Sequence, residues 1–150
     1  HSRIGEFVIM GNRTFAMIKP DAVNNGHSGK ILDRIINAKF KILGIKIIRM
    51  TKKQAEGFYS IHSEKPLFED LTSFMSSGKS LVLALEKENA VESWRNTIGA
   101  TNPEEAEKGT IRKDFASSLS ENAVHGADSD KNALIEIGFF FSEAELISNQ

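Results

Sequence analysis

Residues 80–85 read SLVLAL, an unbroken apolar run bounded by Lys79 and Glu86. A run of this length with no polar alternation is the pattern of a buried strand, so the rest of the chain must be organised around a sheet. Two further segments fit that sheet. Arg13 to Lys19 (RTFAMIK) is short, apolar and closed by Pro20, and Lys41 to Met50 is rich in β-branched residues. Asn122 to His125 is a brief fourth candidate.

Between the strands the periodicity turns helical. Ile31, Leu32, Ile35 and Ile36 share one face of a helix over 30–40. Thr51 with Gln54 forms a capping box for a helix reaching about Tyr59, and Asn89 with Glu92 forms another for a helix ending near Gly99. Pro66 precedes a helix with Leu67, Phe68, Leu71, Phe74 and Met75 turned inward. Asn102-Pro103 is suited to opening one helical turn inside the long loop that follows. Ser129 begins a helix carrying Ala133, Leu134, Ile137 and Phe140, and Ser142 with Glu145 caps a last short one. The order reduces to βαββαβ with added helices, which predicts an α+β fold: a ferredoxin-like antiparallel sheet with helices on one face.

The 150 residues suit one domain, and 40% apolar with 26% charged residues is ordinary for a globular protein. Nineteen basic against 20 acidic residues give a net charge of -1, which argues against a nucleic-acid or anionic-membrane partner. With no cysteine, disulfides, thiolate metal sites and a cysteine nucleophile are excluded, in keeping with a cytoplasmic protein. No apolar run approaches the roughly eighteen residues of a spanning helix. The segment HSRIGEFVI does not begin with methionine, whereas Met10 reads like a natural start. Residues 1–9 are therefore read as a cloning remnant and 10–150 as the domain.

Two motifs fail on inspection. Gly26-His27-Ser28-Gly29-Lys30 has only two residues between its glycines, and Ile31 stands where a phosphate loop needs Ser or Thr. Asp128, Asp130 and Asn132 imitate half a calcium loop, but Ala133 and Phe139 occupy its glycine and glutamate positions. Acidic residues at a helix start explain the two aspartates. The four histidines show no metal-binding spacing, and no metal ligand is assigned. His125 differs from the others in context. Gly126 permits close backbone approach, and Glu136 lies seven residues past Ser129, two turns along the same helical face. A carboxylate there would hold one imidazole nitrogen and leave the other free to attack. Lys19, Arg95 and Arg112, if they converge, would cradle a polyphosphate.

Several segments together resemble the nucleoside diphosphate kinases. They are TFAMIKPDAV (14–23), YSIHSEKPLF (59–68), MSSGK (75–79), GATNPEEAEKGTIRKDF (99–115), NAVHGADS (122–129) and EIGFFF (136–141). The resemblance implies the same ferredoxin-like core, and transfer of a terminal phosphate from a nucleoside triphosphate to a nucleoside diphosphate through a phosphohistidine. It makes His125 the nucleophile, oriented by Glu136 with Tyr59 beside it. Lys19 would hold the transferring phosphate and contact the ribose hydroxyl, Arg95, Thr101 and Arg112 the other phosphates, and Asn122 the sugar. Magnesium would arrive bridging the nucleotide phosphates, and the protein would form a homo-oligomer, a tetramer or hexamer. Three positions depart from the pattern. Leu67 stands where an aromatic commonly stacks on the base, Ala127 replaces a serine whose hydroxyl could bond Glu136, and Lys79 replaces a proline. A nucleotide-binding regulatory or scaffold protein is the alternative these departures suggest.

Overall fold

The computed structural model describes residues 11–150; the remnant assigned to 1–9 lies outside the described residues. Four strands, β1 (Arg13–Ile18), β2 (Lys41–Arg49), β3 (Lys79–Glu86) and β4 (Val124–Gly126), form one sheet in the order β2-β3-β1-β4. Every pairing is antiparallel, as the βαββαβ order requires. Around it lie α1 (Pro20–Asn24), α2 (Ser28–Asn37), α3 (Lys52–Phe58), α4 (Phe68–Met75), α5 (Ala90–Ile98), α6 (Ile111–Phe115), α7 (Asp130–Phe140) and α8 (Glu143–Ser148).

Helices cover both faces of the sheet, not one. Ala16 and Ile18 of β1 pack with Leu81, Leu83 and Leu85 of β3 against Ile31 and Ile35 of α2, Trp94 and Ile98 of α5, and Ile111 of α6. Phe15 and Met17, which alternate with them, pack with Val82 and Ala84 against Ala55 of α3, Met75 of α4, Ile137 of α7 and Leu146 of α8. A strand sandwiched between two layers has no polar side, which is why β1 is buried throughout and SLVLAL shows no alternation.

Register carries the site. In β4 Val124 lies opposite Ile18, His125 opposite Met17 and Gly126 opposite Ala16. Successive side chains point to opposite faces. Val124 therefore joins the Ile18 core, while His125 emerges on the Phe15–Met17 side.

Local signals were mostly realised. Thr51–Gln54 and Ser142–Glu145 form reciprocal capping boxes, and the Ser129 hydroxyl accepts from Asn132 N–H. Asn89 does not cap α5: at φ 52° and ψ 49° it is left-handed, and Ala90 N–H donates to the Gly11 carbonyl instead. Around Asn102-Pro103 the chain makes a turn rather than a helix, with Glu104 N–H donating to the Asn102 side chain. Leu67 is 69% exposed at the N-terminal boundary of α4, not inward, while Met75 at the other end is fully buried.

Candidate active site

His125 sits in an aromatic box. The rings of Phe58, Phe15 and Tyr59 approach its imidazole edge-on, with centroids 5.4, 5.9 and 6.1 Å away. Its main-chain carbonyl accepts from the indole N–H of the fully buried Trp94 at 3.1 Å. That contact needs Gly126 next door, because a Cβ there would stand 3.0 Å from both the Trp94 ring and Ile98. The strand is thus clamped before the side chain is aimed.

Glu136 does the aiming. Its Oε1 lies 2.8 Å from His125 Nε2, and both side chains are largely buried, at 14% and 19% exposure. A carboxylate accepting from Nε2–H keeps the proton on that nitrogen and leaves the Nδ1 lone pair available. Position 136 is reached because the Ser129 cap fixes where α7 starts, and two turns later the helix presents Glu136 to the sheet. Burial, reinforced by the Glu136 charge, raises the pKa of the Tyr59 hydroxyl, so Tyr59 remains a neutral donor. Ala127 is buried in a small apolar cluster with Val91 and Ala133, so Glu136 alone among the described residues hydrogen-bonds the imidazole.

A second group assembles around Asn122, itself buried. Its Oδ1 accepts from Lys19 Nζ at 2.9 Å, and its Nδ2 donates to the Thr101 carbonyl at 3.3 Å. Lys19 also donates to the Ser120 carbonyl at 3.3 Å. Burial lowers the Lys19 pKa to about 8 against the attraction of Asp21, and Arg112 lowers it further. Arg112 is buried too. Its Nε, Nη1 and Nη2 donate to the carbonyls of Asn122, Gly99 and Val124 at 3.3, 3.0 and 2.9 Å. Desolvation, and then Arg95, brings the guanidinium pKa down to about 10, which leaves it protonated at neutral pH.

Arg95, Thr101 and Arg112 line one cleft of about 560 Å³, together with Gly99, Thr110 and Gly126. Two guanidinium groups lining one cleft repel, and the pair is better tolerated with an anion between them. The structure thus ties Lys19, Thr101, Arg112 and Asn122 into one network, with Arg95 across the cleft. His125, Tyr59 and Glu136 form a second cluster, joined to the first through β4. Leu67 stands as an exposed apolar side chain.

Sequence reasoning gave His62 no role. It follows Tyr59 by one 3₁₀ turn (Ser60–His62), and its Nδ1 is buried without a hydrogen-bond partner. Desolvation and Lys65 lower its pKa, and the charges of Asp128, His125 and Glu136 act on it as well. An imidazole with a buried, unpaired nitrogen, close enough to feel the charges of His125 and Glu136, is a further candidate for the site. The Tyr59-x-x-His62 spacing was the available signal.

A family model for nucleoside diphosphate kinase matches residues 12–146. The chain is 58% identical over 135 residues to a nucleoside diphosphate kinase of Geotalea uraniireducens, covering 90% of this chain and 98% of that protein. It is 55% identical to the one of Geobacter sulfurreducens, with the same coverage. Among solved structures, the nucleoside diphosphate kinase of Aquifex aeolicus superposes with a TM-score of 0.87 at 43% identity, over 89% of this chain and 97% of that one. The Halobacterium salinarum enzyme, solved in complex with CDP, gives 0.85 at 36% identity over 90% of each. A histidine oriented by a carboxylate beside a cationic cleft agrees with that likeness, and the chain belongs to the nucleoside diphosphate kinase family.

Proposed function

We propose that the protein transfers the terminal phosphate of a nucleoside triphosphate to a nucleoside diphosphate through a phosphohistidine on His125. The observation that carries this reading is the 2.8 Å bond between His125 Nε2 and Glu136, which leaves Nδ1 as the nucleophile. In the first half-reaction an Nδ1–P bond forms as the bond from phosphorus to the bridging oxygen breaks, and the diphosphate departs with that electron pair. In the second, a terminal oxygen of another diphosphate attacks the phosphorus, the N–P bond breaks, and the imidazole is regenerated. Ping-pong kinetics follow.

The transferring group carries negative charge that must be neutralised where it moves. Lys19 serves there and on the ribose hydroxyl, while Arg95, Thr101 and the two donors Arg112 keeps spare hold the remaining phosphates. Asn122 meets the sugar, and Tyr59 and His62 border the transferring group. Leu67 gives the base an aliphatic ledge in place of an aromatic. Mg2+ would enter with the nucleotide as part of the substrate and would offset phosphate charge there. Residues 10–150 act as a single cytoplasmic domain that assembles into a homo-oligomer, a tetramer or hexamer. Among the described residues no helix is long and apolar enough to cross a membrane.

Brief exposure to terminally labelled ATP and Mg2+ tests the reading. Acid-labile, alkali-stable label on the protein, absent from His125→Ala, is expected. Nucleotide binding without label would make the chain a binding protein only.

A further inference from the structure

We propose that Asp21 is a positioning residue that holds a left-handed turn at Ala123, and that this turn sets Asn122 and His125 in register with each other. The inference rests on the phosphotransfer reading above. Ala123 has φ 72°, and Val124 N–H donates to the Asn122 carbonyl at 2.8 Å. A hydrogen bond spanning three residues around a positive φ is a γ-turn of the rare, strained kind. For an alanine such a conformation persists only when its surroundings impose it.

The surroundings are on two sides. Residues flanking Pro20 grip Ala123 through both of its peptide groups: Asp21 Oδ2 accepts the Ala123 N–H at 3.0 Å, and Lys19 N–H donates to the Ala123 carbonyl at 2.8 Å. From another direction Arg112 forks the carbonyls before and after, those of Asn122 and Val124. Asp21 is the only side-chain acceptor for that buried N–H among the described residues, and is itself 5% exposed. Without it the N–H is orphaned and Ala123 can relax towards ordinary negative φ. The Asn122 amide would then leave Lys19 and Thr101, while His125 is kept by its pairing with Met17. The two halves of the site would lose their alignment, not their residues.

Asparagine at position 21 can still present an acceptor, alanine cannot, and glycine at 123 adopts positive φ at no steric cost. We expect Asp21→Asn to keep most of the transfer activity. Asp21→Ala should lose about 100-fold in kcat/KM, the scale of a small misplacement of catalytic groups. Adding Ala123→Gly to Asp21→Ala should recover about tenfold of that loss. Recovery is the readout a merely structural aspartate would not give, since glycine adds no contact. The proposal is overturned if Asp21→Ala matches wild type, if Asp21→Asn is as poor as Asp21→Ala, or if the double variant is no better than the single. Should Asp21→Ala not fold, Asp21→Ser, whose hydroxyl is too short to reach the turn, replaces it in the same comparison. A wild-type protein with no transfer at all would instead defeat the phosphotransfer reading.

Discussion

Lys19 carries a prediction that its burial makes specific. With its pKa lowered to about 8, the ammonium begins to lose its proton just above neutrality in the free protein. The kcat/KM profile, which reports free-enzyme ionisations, should therefore fall on its alkaline side near pH 8. Lys19→Arg, charged throughout that range, should lack the descending limb even if its overall rate is lower. A limb unchanged in Lys19→Arg would assign it to another group. The sign for stability is the reverse of an ion-paired lysine. Because the folded pKa lies below the unfolded one, the buried charge is unfavourable below about pH 8 and the penalty is relieved as pH rises towards the ordinary lysine value of 10.5. Urea midpoints should accordingly rise from pH 8 to 10 relative to Lys19→Met. Most of these side chains were legible in the sequence because each lies in a short motif whose residue types already state the chemistry. Arg112 was only half legible: its three bonds to main-chain carbonyls depend on where distant backbone passes, and no residue type announces a carbonyl. His62 was missed because a histidine in a polar segment has an ordinary reading, and only burial of Nδ1 removes it.

At the scale of elements, the sequence anticipated strands and caps better than what covers them. SLVLAL marks a buried strand and so implies cover on both faces, whereas the βαββαβ pattern alone supplies helices for one. The helices on the Phe15–Met17 side, α3, α4, α7 and α8, lie outside the βαββαβ pattern, and they are what closes the second core. The Asn89 cap failed for a related reason: a tertiary bond to the Gly11 carbonyl displaced a local one that pattern alone would select. The short helix α8 depends on such long-range contacts. Arg13, 2% exposed, makes a two-oxygen bond to Glu143, and Lys46 reaches both Glu145 and the Phe140 carbonyl. Under these, Phe141 lies across β2 at Gly44, where a Cβ would stand 2.7 Å from the ring. Gly44→Ala must push that ring aside, an overpacking cost of about 1–3 kcal/mol. It should lower the urea midpoint while leaving phosphohistidine labelling intact, since β2 and β4 are opposite edges of the sheet. A variant as stable as wild type would mean that α8 is not held by this packing.

For the whole molecule the question is what lies beyond the free edge of the sheet. β2 is an edge strand that pairs with β3 alone among the described residues, and of its main-chain groups the Leu43 carbonyl accepts from the Asn149 side-chain amide at 2.8 Å. Ile45 pairs with Leu83 and Ile47 with Leu81, so both isoleucines continue the face on which α2, α5 and α6 pack. Helical cover ends before it reaches them, and they are 45% and 69% exposed. Ile36 of α2 is 58% exposed on the same side of the sheet. Neighbouring exposed isoleucines on an uncovered edge are a liability for a monomer, and natural proteins usually blunt such edges with charge. Net charge of -1 on 150 residues adds little repulsion to keep copies apart. An antiparallel strand can pair with a second copy of itself about a two-fold axis, burying both rows of isoleucines symmetrically. The proposed homo-oligomer would be built from this contact. Light scattering on the eluted protein should give a mass that is a multiple of 16.6 kDa, and Ile47→Lys should shift it towards the single-chain value. If Ile47→Lys dissociates the assembly while His125 still takes label, the site is complete within one chain. If the mass is unchanged by a charge at the edge, the subunits meet elsewhere and the exposed isoleucines need another explanation.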